Sequence, residues 1–201
     1  MIKINFGDFT RTIERIENTS SQNEIVAILS GLFKDIELEE IDKACYMVLG
    51  QIAPQYESIV RGLSEKTVQS TISLAGGIPK DEVEEKTRDL GDIGEVAVKM
   101  VKNTENPFKD YFDYTGELSV KDIFDGLRKI ASTCGKGSQE IKKKILASML
   151  IEADEVGRKY IARLAEGTMR LGVGDMTILN ALSVAFFSSK QKKQNLSKFI
   201  M

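Results

Sequence analysis

Two loops in the second half of this 201-residue chain set glycines and cations at the start of a helix. The first reads Cys134-Gly135-Lys136-Gly137-Ser138-Gln139 and runs into Lys142, Lys143 and Lys144. Glycines let the backbone come close to a ligand. A helix N-terminus presents unpaired N–H groups that favour a phosphate, and lysines in its first turns add charge. The pattern is not G-x-x-x-x-G-K-[ST] and follows no buried strand, which argues against a nucleotide P-loop. The alternative is a glycine helix stop followed by a serine N-cap. Gly135, Lys136, Gly137, Ser138 and Lys142 are the candidate phosphate contacts here.

The second loop is Met169-Arg170-Leu171-Gly172-Val173-Gly174-Asp175, again leading into a helix, with Arg163 and Arg170 near enough in sequence to supply charge. Gly-apolar-Gly before a helix start resembles the hairpin of helix-hairpin-helix elements, which grip phosphates without reading bases. A glycine-rich turn packing two helices is the alternative. Leu90-Gly91-Asp92-Ile93-Gly94-Glu95 has the same form with two carboxylates, which helix capping largely explains; a metal role stays open. The adjacent pairs Glu39-Glu40, Glu84-Glu85 and Asp154-Glu155 fall on helix surfaces or first turns and read as solvated faces.

The chain has no histidine, which excludes Ser-His-Asp and Cys-His nucleophile pairs and removes the commonest zinc ligand. Its cysteines, Cys45 and Cys134, sit among apolar residues at helical spacing and read as reduced packing residues. Net charge is −2, but it is unevenly spread: residues 1–125 hold 14 Lys and Arg against 24 Asp and Glu, and residues 126–201 hold 14 against 6. A basic half of +8 suggests a polyanion partner. The longest apolar run, Ile178 to Phe187, is broken by Asn180 and Ser183 and falls short of the ~20 apolar residues of a membrane span. The first residues show no secretory pattern, so a cytoplasmic, nucleoid-associated location is expected.

Apolar residues recur at helical spacing almost throughout. Ser21 with Glu24, Asp92 with Glu95, and Ser119 with Asp122 mark helix starts, as do Ser64, Ser138, Asp154 and Asp175. Gly50, Gly76-Gly77 and Gly167 mark ends. No alternating run competes, so the expected fold is all-α, with roughly ten helices of ordinary length. The unpatterned stretch Asn103 to Thr115 is expected to divide an acidic lobe (about 1–105) from a basic lobe (about 116–190). Residues 191–201 read as a linker.

The order of these pieces resembles the N-terminal DNA-binding domain of ATP-dependent DNA ligases of the archaeal and eukaryotic type. The resemblance rests on Gly91-Asp92-Ile93-Gly94, on Leu118 to Ile123, and on Gly135 to Gln139. It is strongest from Tyr160-Ile161-Ala162-Arg163-Leu164 through Arg170-Leu171-Gly172-Val173-Gly174 to Leu182. It implies an all-helical domain spanning 1–201 that lies on the minor groove of nicked duplex DNA without sequence preference, in replication and repair. Its contacts would fall at Gly135–Ser138 and Arg170–Gly174, with Lys142 and Arg163 as additions. The parent enzyme would use ATP and magnesium through a lysine in Lys-x-Asp-Gly. No lysine here is followed by x-Asp-Gly, so this chain, with no cofactor of its own, is expected to be inactive alone. The resemblance also implies partners: the parent's adenylation and OB domains, toward which the linker would lead, and a sliding clamp met through Phe108, Tyr111 and Phe112. From the residues alone, a helical module binding an acidic protein stands as the alternative, and aromatics that pack the two lobes together as the alternative to the clamp segment.

Overall fold

In a computed structural model that describes residues 4–53 and 63–187, ten α-helices account for most of the chain. They are α1 (Phe6–Glu17), α2 (Gln22–Asp35), α3 (Ile41–Val48), α4 (Glu65–Gly76), α5 (Lys80–Leu90), α6 (Ile93–Met100), α7 (Val120–Ser132), α8 (Ser138–Glu152), α9 (Glu155–Glu166) and α10 (Asp175–Phe186). Among the described residues extended pairing is limited to one isolated bridge between Asn5 and Ser119. No described helix is long and apolar enough to cross a membrane.

Local chemistry accounts for most boundaries. Side chains of Asn5, Ser21, Ser64, Asp92, Ser119 and Asp154 each accept a hydrogen bond from a first-turn amide. Only Ser119–Asp122 closes as a reciprocal box; Glu24 turns to Thr19, and Glu95 pairs with Lys159. α1 and α5 lie outside the stripes named from sequence. α5 buries only Val83 and Thr87, and it is held by Asp81 and Glu82 in its first turn and Arg88 in its last, which suit the helix dipole.

The acidic and basic halves of the sequence do not form separate lobes. α10 lies on α2, α9 on α1 and α6, and α8 on α4, so one buried apolar cluster draws on all ten helices. Packing brings the opposite charges of the two halves together instead of segregating them. The last part of the expected basic lobe, 188–190, and the linker 191–201 lie outside the described residues. Cys45 is half-buried, and burial with the nearby Asp42 charge pushes its thiol up to about 12; Cys134 is exposed and is not a packing residue.

The stretch from Asn103 to Thr115 is pinned down rather than free. Asn106 is buried and donates to Ser148 Oγ at 2.9 Å and Glu152 Oε1 at 2.8 Å. Arg158 of α9, 2% exposed, holds this region to the helices. It donates to the carbonyls of Leu150 and Val101, each at 2.9 Å, and to the Asn103 side chain. Replacing it would leave buried acceptors unpaired at about 1–3 kcal/mol each. Arg158→Met is expected to lower stability by about 2–4 kcal/mol in urea unfolding without changing the helical circular dichroism of the folded state.

Candidate nucleic-acid interface

α8 and α9 form an antiparallel hairpin joined at Ala153–Asp154, so the start of α8 and the end of α9 share one end of the bundle. Lys142 of α8, Leu164 and Ala165 of α9, and Leu127 and Ile130 of α7 line one small cavity of about 30 Å³ there. The segment 167–174 continues from α9 into α10 at this end. Arg170 reaches back from it to the Gly91 carbonyl, at 3.1 Å, beside the start of α6. Both glycine loops read from sequence therefore lie toward the same end of the α8–α9 hairpin.

Their conformations explain the glycines. Gly135 and Gly137 have φ of 96° and 83°, and Gly172 has 63°, all in the left-handed region that side chains disfavour. Gly137 and Gly174 are the N-caps of α8 and α10, with Ser138 and Asp175 as first helical residues. The serine N-cap alternative is thus set aside. Neither helix start has a capping side chain, whereas six other helices do. The amides of Ser138, Glu140 and Thr177 bond to the carbonyls of Gly135, Gly137 and Gly174, which leaves those of the exposed Gln139, Asp175 and Met176 for an incoming group. Such ends attract anions through the amides and the helix dipole. Gly174 lies at φ −113° and a Cβ there would meet nothing, so its contribution is the uncrowded approach it leaves.

The cations sort by location. Of the basic half, Lys190, Lys192, Lys193 and Lys198 lie outside the described residues. Arg158, Lys159 and Arg163 are largely buried. The rest are Arg128 and Lys129 on the last turns of α7, Lys136, Lys142, Lys143 and Lys144 at the start of α8, and Arg170. Lys143 pairs with Glu140, and Lys144 donates to Tyr111. Lys136 and Lys142 have no ion-pair partner among the described residues. Leu171 is buried and anchors the second loop; Val173 packs partly against the core.

Arg163 is not a surface contact, contrary to the expectation from sequence. Its side chain is 4% exposed and lies between Glu17 of α1 and Asp92 at the start of α6. It donates to Glu17 at 3.0 and 3.1 Å and to Asp92 at 3.1 and 2.5 Å. Those hydrogen bonds leave its guanidinium committed to the interior. Burial alone would raise both carboxyls, but Arg163 and the neighbouring donors overcome it and hold Glu17 and Asp92 below their ordinary values. Tyr160 also donates to Glu17 at 2.6 Å, and burial with that carboxylate pushes its phenol well up.

Against this geometry, residues 5–183 match the family described as DNA ligase N terminus. The chain belongs to that family. It is 37% identical over 186 residues to a DNA ligase of Pyrobaculum islandicum, covering 92% of this chain and 32% of the relative. It is 38% identical over 195 residues to DNA ligase 2 of Korarchaeum cryptofilum, covering 97% and 32%. It is 40% identical over 181 residues to a probable DNA ligase of Aquifex aeolicus, covering 90% and 30%. The chain thus spans about a third of the length of these DNA ligases.

Of the aromatic set that the ligase resemblance offered to a clamp, Phe112 turns inward, while Phe108 and Tyr111 stay half-buried. Phe112 is 4% exposed, stacks on Tyr114 and lies over Gly126 of α7, where a Cβ would come within 2.9 Å of its ring. Tyr114 donates to Glu152, and Tyr111 takes the Lys144 ammonium over its ring. Packing against α7 and α8 is their visible role. Asp92 is the residue that sequence reasoning undervalued: read as a cap with a metal role left open, it is the carboxylate shared by Arg163 and, at 3.6 Å, Arg170, and among the described residues no group of His, Cys, Asp and Glu that could hold a metal includes it. The signal was the pairing of Gly91-Asp92 with two arginines in the ligase order.

The depressed carboxyls fix a sign for pH dependence. Both ionise more readily in the folded chain, so their contribution is full above their ordinary values of 3.8 and 4.5 and is lost as pH falls through the lower folded values. Urea unfolding between about pH 6 and about pH 3 is expected to show stability falling with acid, and falling less steeply in Glu17→Gln.

Proposed function

We propose that this chain binds nicked duplex DNA, without sequence preference, as the DNA-binding part of a longer ATP-dependent ligase acting in replication and repair. The observation that carries the reading is the pairing of two uncapped helix N-termini with Lys136, Lys142 and Arg170 at one pole. That arrangement offers amides and cations to phosphates and nothing selective to base edges. Membership of the ligase family supports the same substrate. Gly135, Lys136, Gly137, Ser138 and Lys142 would take one stretch of backbone, and Arg170 with Leu171, Gly172, Val173 and Gly174 another. Adenylation with ATP and magnesium would fall to other parts of the longer ligase, because no Lys-x-Asp-Gly occurs in these 201 residues.

A second surface favours a protein contact beside the DNA. α10 leaves Met176, Leu179, Val184, Phe186 and Phe187 exposed, an apolar ridge continuous with the second glycine loop. Apolar ridges of this kind mark protein interfaces more often than phosphate contacts. We assign it to the catalytic part of the same ligase; a basic face docking an acidic protein is the weaker alternative, because the ridge itself is uncharged.

With about six phosphates contacted, affinity for a nicked duplex is expected to fall by about 10³ between about 50 and about 200 mM salt. Fluorescence anisotropy across that range measures it, and a flat profile contradicts it. Arg170 is the sole non-glycine residue with positive φ among the described residues, at 57°. Arg170→Gly is expected to weaken binding equally across sequences, reduce the salt slope by about 1, and change stability by less than about 1 kcal/mol, because relief of left-handed strain offsets the added chain entropy. Loss of stability with normal affinity would instead assign Arg170 to packing.

A further inference from the structure

Asp92 stands at a junction that neither capping nor core packing fully uses. Its Oδ1 accepts from the Gly94 and Glu95 amides at 2.8 and 3.3 Å, fixing the start of α6. The same carboxylate binds Arg163 through two atoms. Arg163 is held in turn by Glu17, so the carboxylate cannot rotate without breaking buried contacts. A Cβ on Gly94 would lie 2.7 Å from the Lys159 carbonyl, which shows how closely this start of α6 abuts α9. Asp92 Oδ2 is therefore a fixed negative point at the edge of the glycine pole.

Arg170 is the group that edge faces. Its side chain is 53% exposed, its Nη1 lies 3.6 Å from Asp92 Oδ2, and it makes one hydrogen bond, to the Gly91 carbonyl. Its backbone sits in the left-handed region, which costs about 1–2 kcal/mol for a residue with a side chain. Strain of this size persists where surrounding contacts hold it. The contacts that hold it are Leu171, buried on one side, and the fork onto Gly91 and Asp92 on the other.

We propose that Asp92 is a positioning residue for DNA binding: it holds the Arg170 guanidinium, and through it the 170–174 loop, in the orientation that meets a phosphate. The inference rests on the DNA-binding reading above. The hold is loose by design of its geometry: one good hydrogen bond and a long ion pair orient the guanidinium while leaving donors for an incoming phosphate. Arginine is required, because a lysine ammonium is a point charge that cannot span the Gly91 carbonyl, Asp92 and a phosphate together.

The test is a double-mutant cycle on nicked-duplex affinity, with thermal unfolding and amide hydrogen exchange measured on the free variants. Arg170→Ala and Arg170→Lys should each weaken binding about 3- to 10-fold, because Lys keeps the charge but loses the fork. Asp92→Asn keeps the α6 cap but weakens the buried Arg163 contact, so it is compared at a temperature where its thermal unfolding shows it fully folded; there it should weaken binding about 3-fold or more in the parent background and not further in Arg170→Ala. In the free protein, Asp92→Asn and Arg170→Lys should both speed amide exchange in 170–174. An Arg170→Lys variant that binds like the parent, or an Asp92→Asn loss that is the same in both backgrounds, would overturn the proposal. Failure of the unsubstituted chain to bind nicked duplex would overturn the DNA reading and the proposal with it; binding that ignores both substitutions overturns the proposal alone.

Discussion

The Arg163 guanidinium, closed between Glu17 and Asp92, is the interaction on which this molecule depends. It ties α9 to α1 and α6, and through Asp92 it sets the start of α6 and the edge of the glycine pole. Breaking a buried pair on one side strands a charge and costs about 3–5 kcal/mol, so all three partners are bound to one another's presence. Lys159 extends the cluster to Glu17 and Glu95, at 3.2 Å each. The cluster draws two cations of the second half inward together with Glu17 and Asp92 of the first.

The helix starts give the pole its character. Six helices close their first turns with their own side chains; the two that open at the glycine loops do not, and neither do α3 and α5. A capping serine or aspartate at Gly137 or Gly174 would occupy the amides a phosphate needs. Glycine leaves them open while permitting the turn. A surface made of backbone amides and lysines responds to the spacing of phosphates rather than to bases, which agrees with the proposed binding of duplex DNA without sequence preference. The apolar ridge on α10 follows directly from the second glycine loop and is the surface proposed above for a protein contact.

Much of the fold was legible from sequence because capping is local. Ser64, Ser119, Asp154, Gly77 and Gly167 act where their neighbours alone would put them. α5 was harder to see, since a helix burying little more than Val83 carries almost no apolar period. The two glycine loops were visible as motifs, but their convergence depends on the α8–α9 hairpin, which no local pattern encodes. Long-range pairing also misled the charge reading. Arg158 and Arg163 count as surface cations in any sequence tally, yet carbonyls of α6 and α8 and carboxylates of α1 and α6 draw them inside. For the same reason the apparent acidic and basic lobes dissolve into one core, and Phe112 of the aromatic loop is drawn against α7.

Amide chemical shifts followed during addition of a nicked duplex at low salt show whether the proposed DNA surface is the pole built by Gly135–Ser138 and Arg170–Gly174. The largest shifts are expected on the first turns of α8 and α10 and on Arg170 through Gly174, and they should reverse on adding salt. Shifts concentrated at the opposite pole, around Leu74, Met100 and Phe108, with the two glycine loops unmoved, would contradict it.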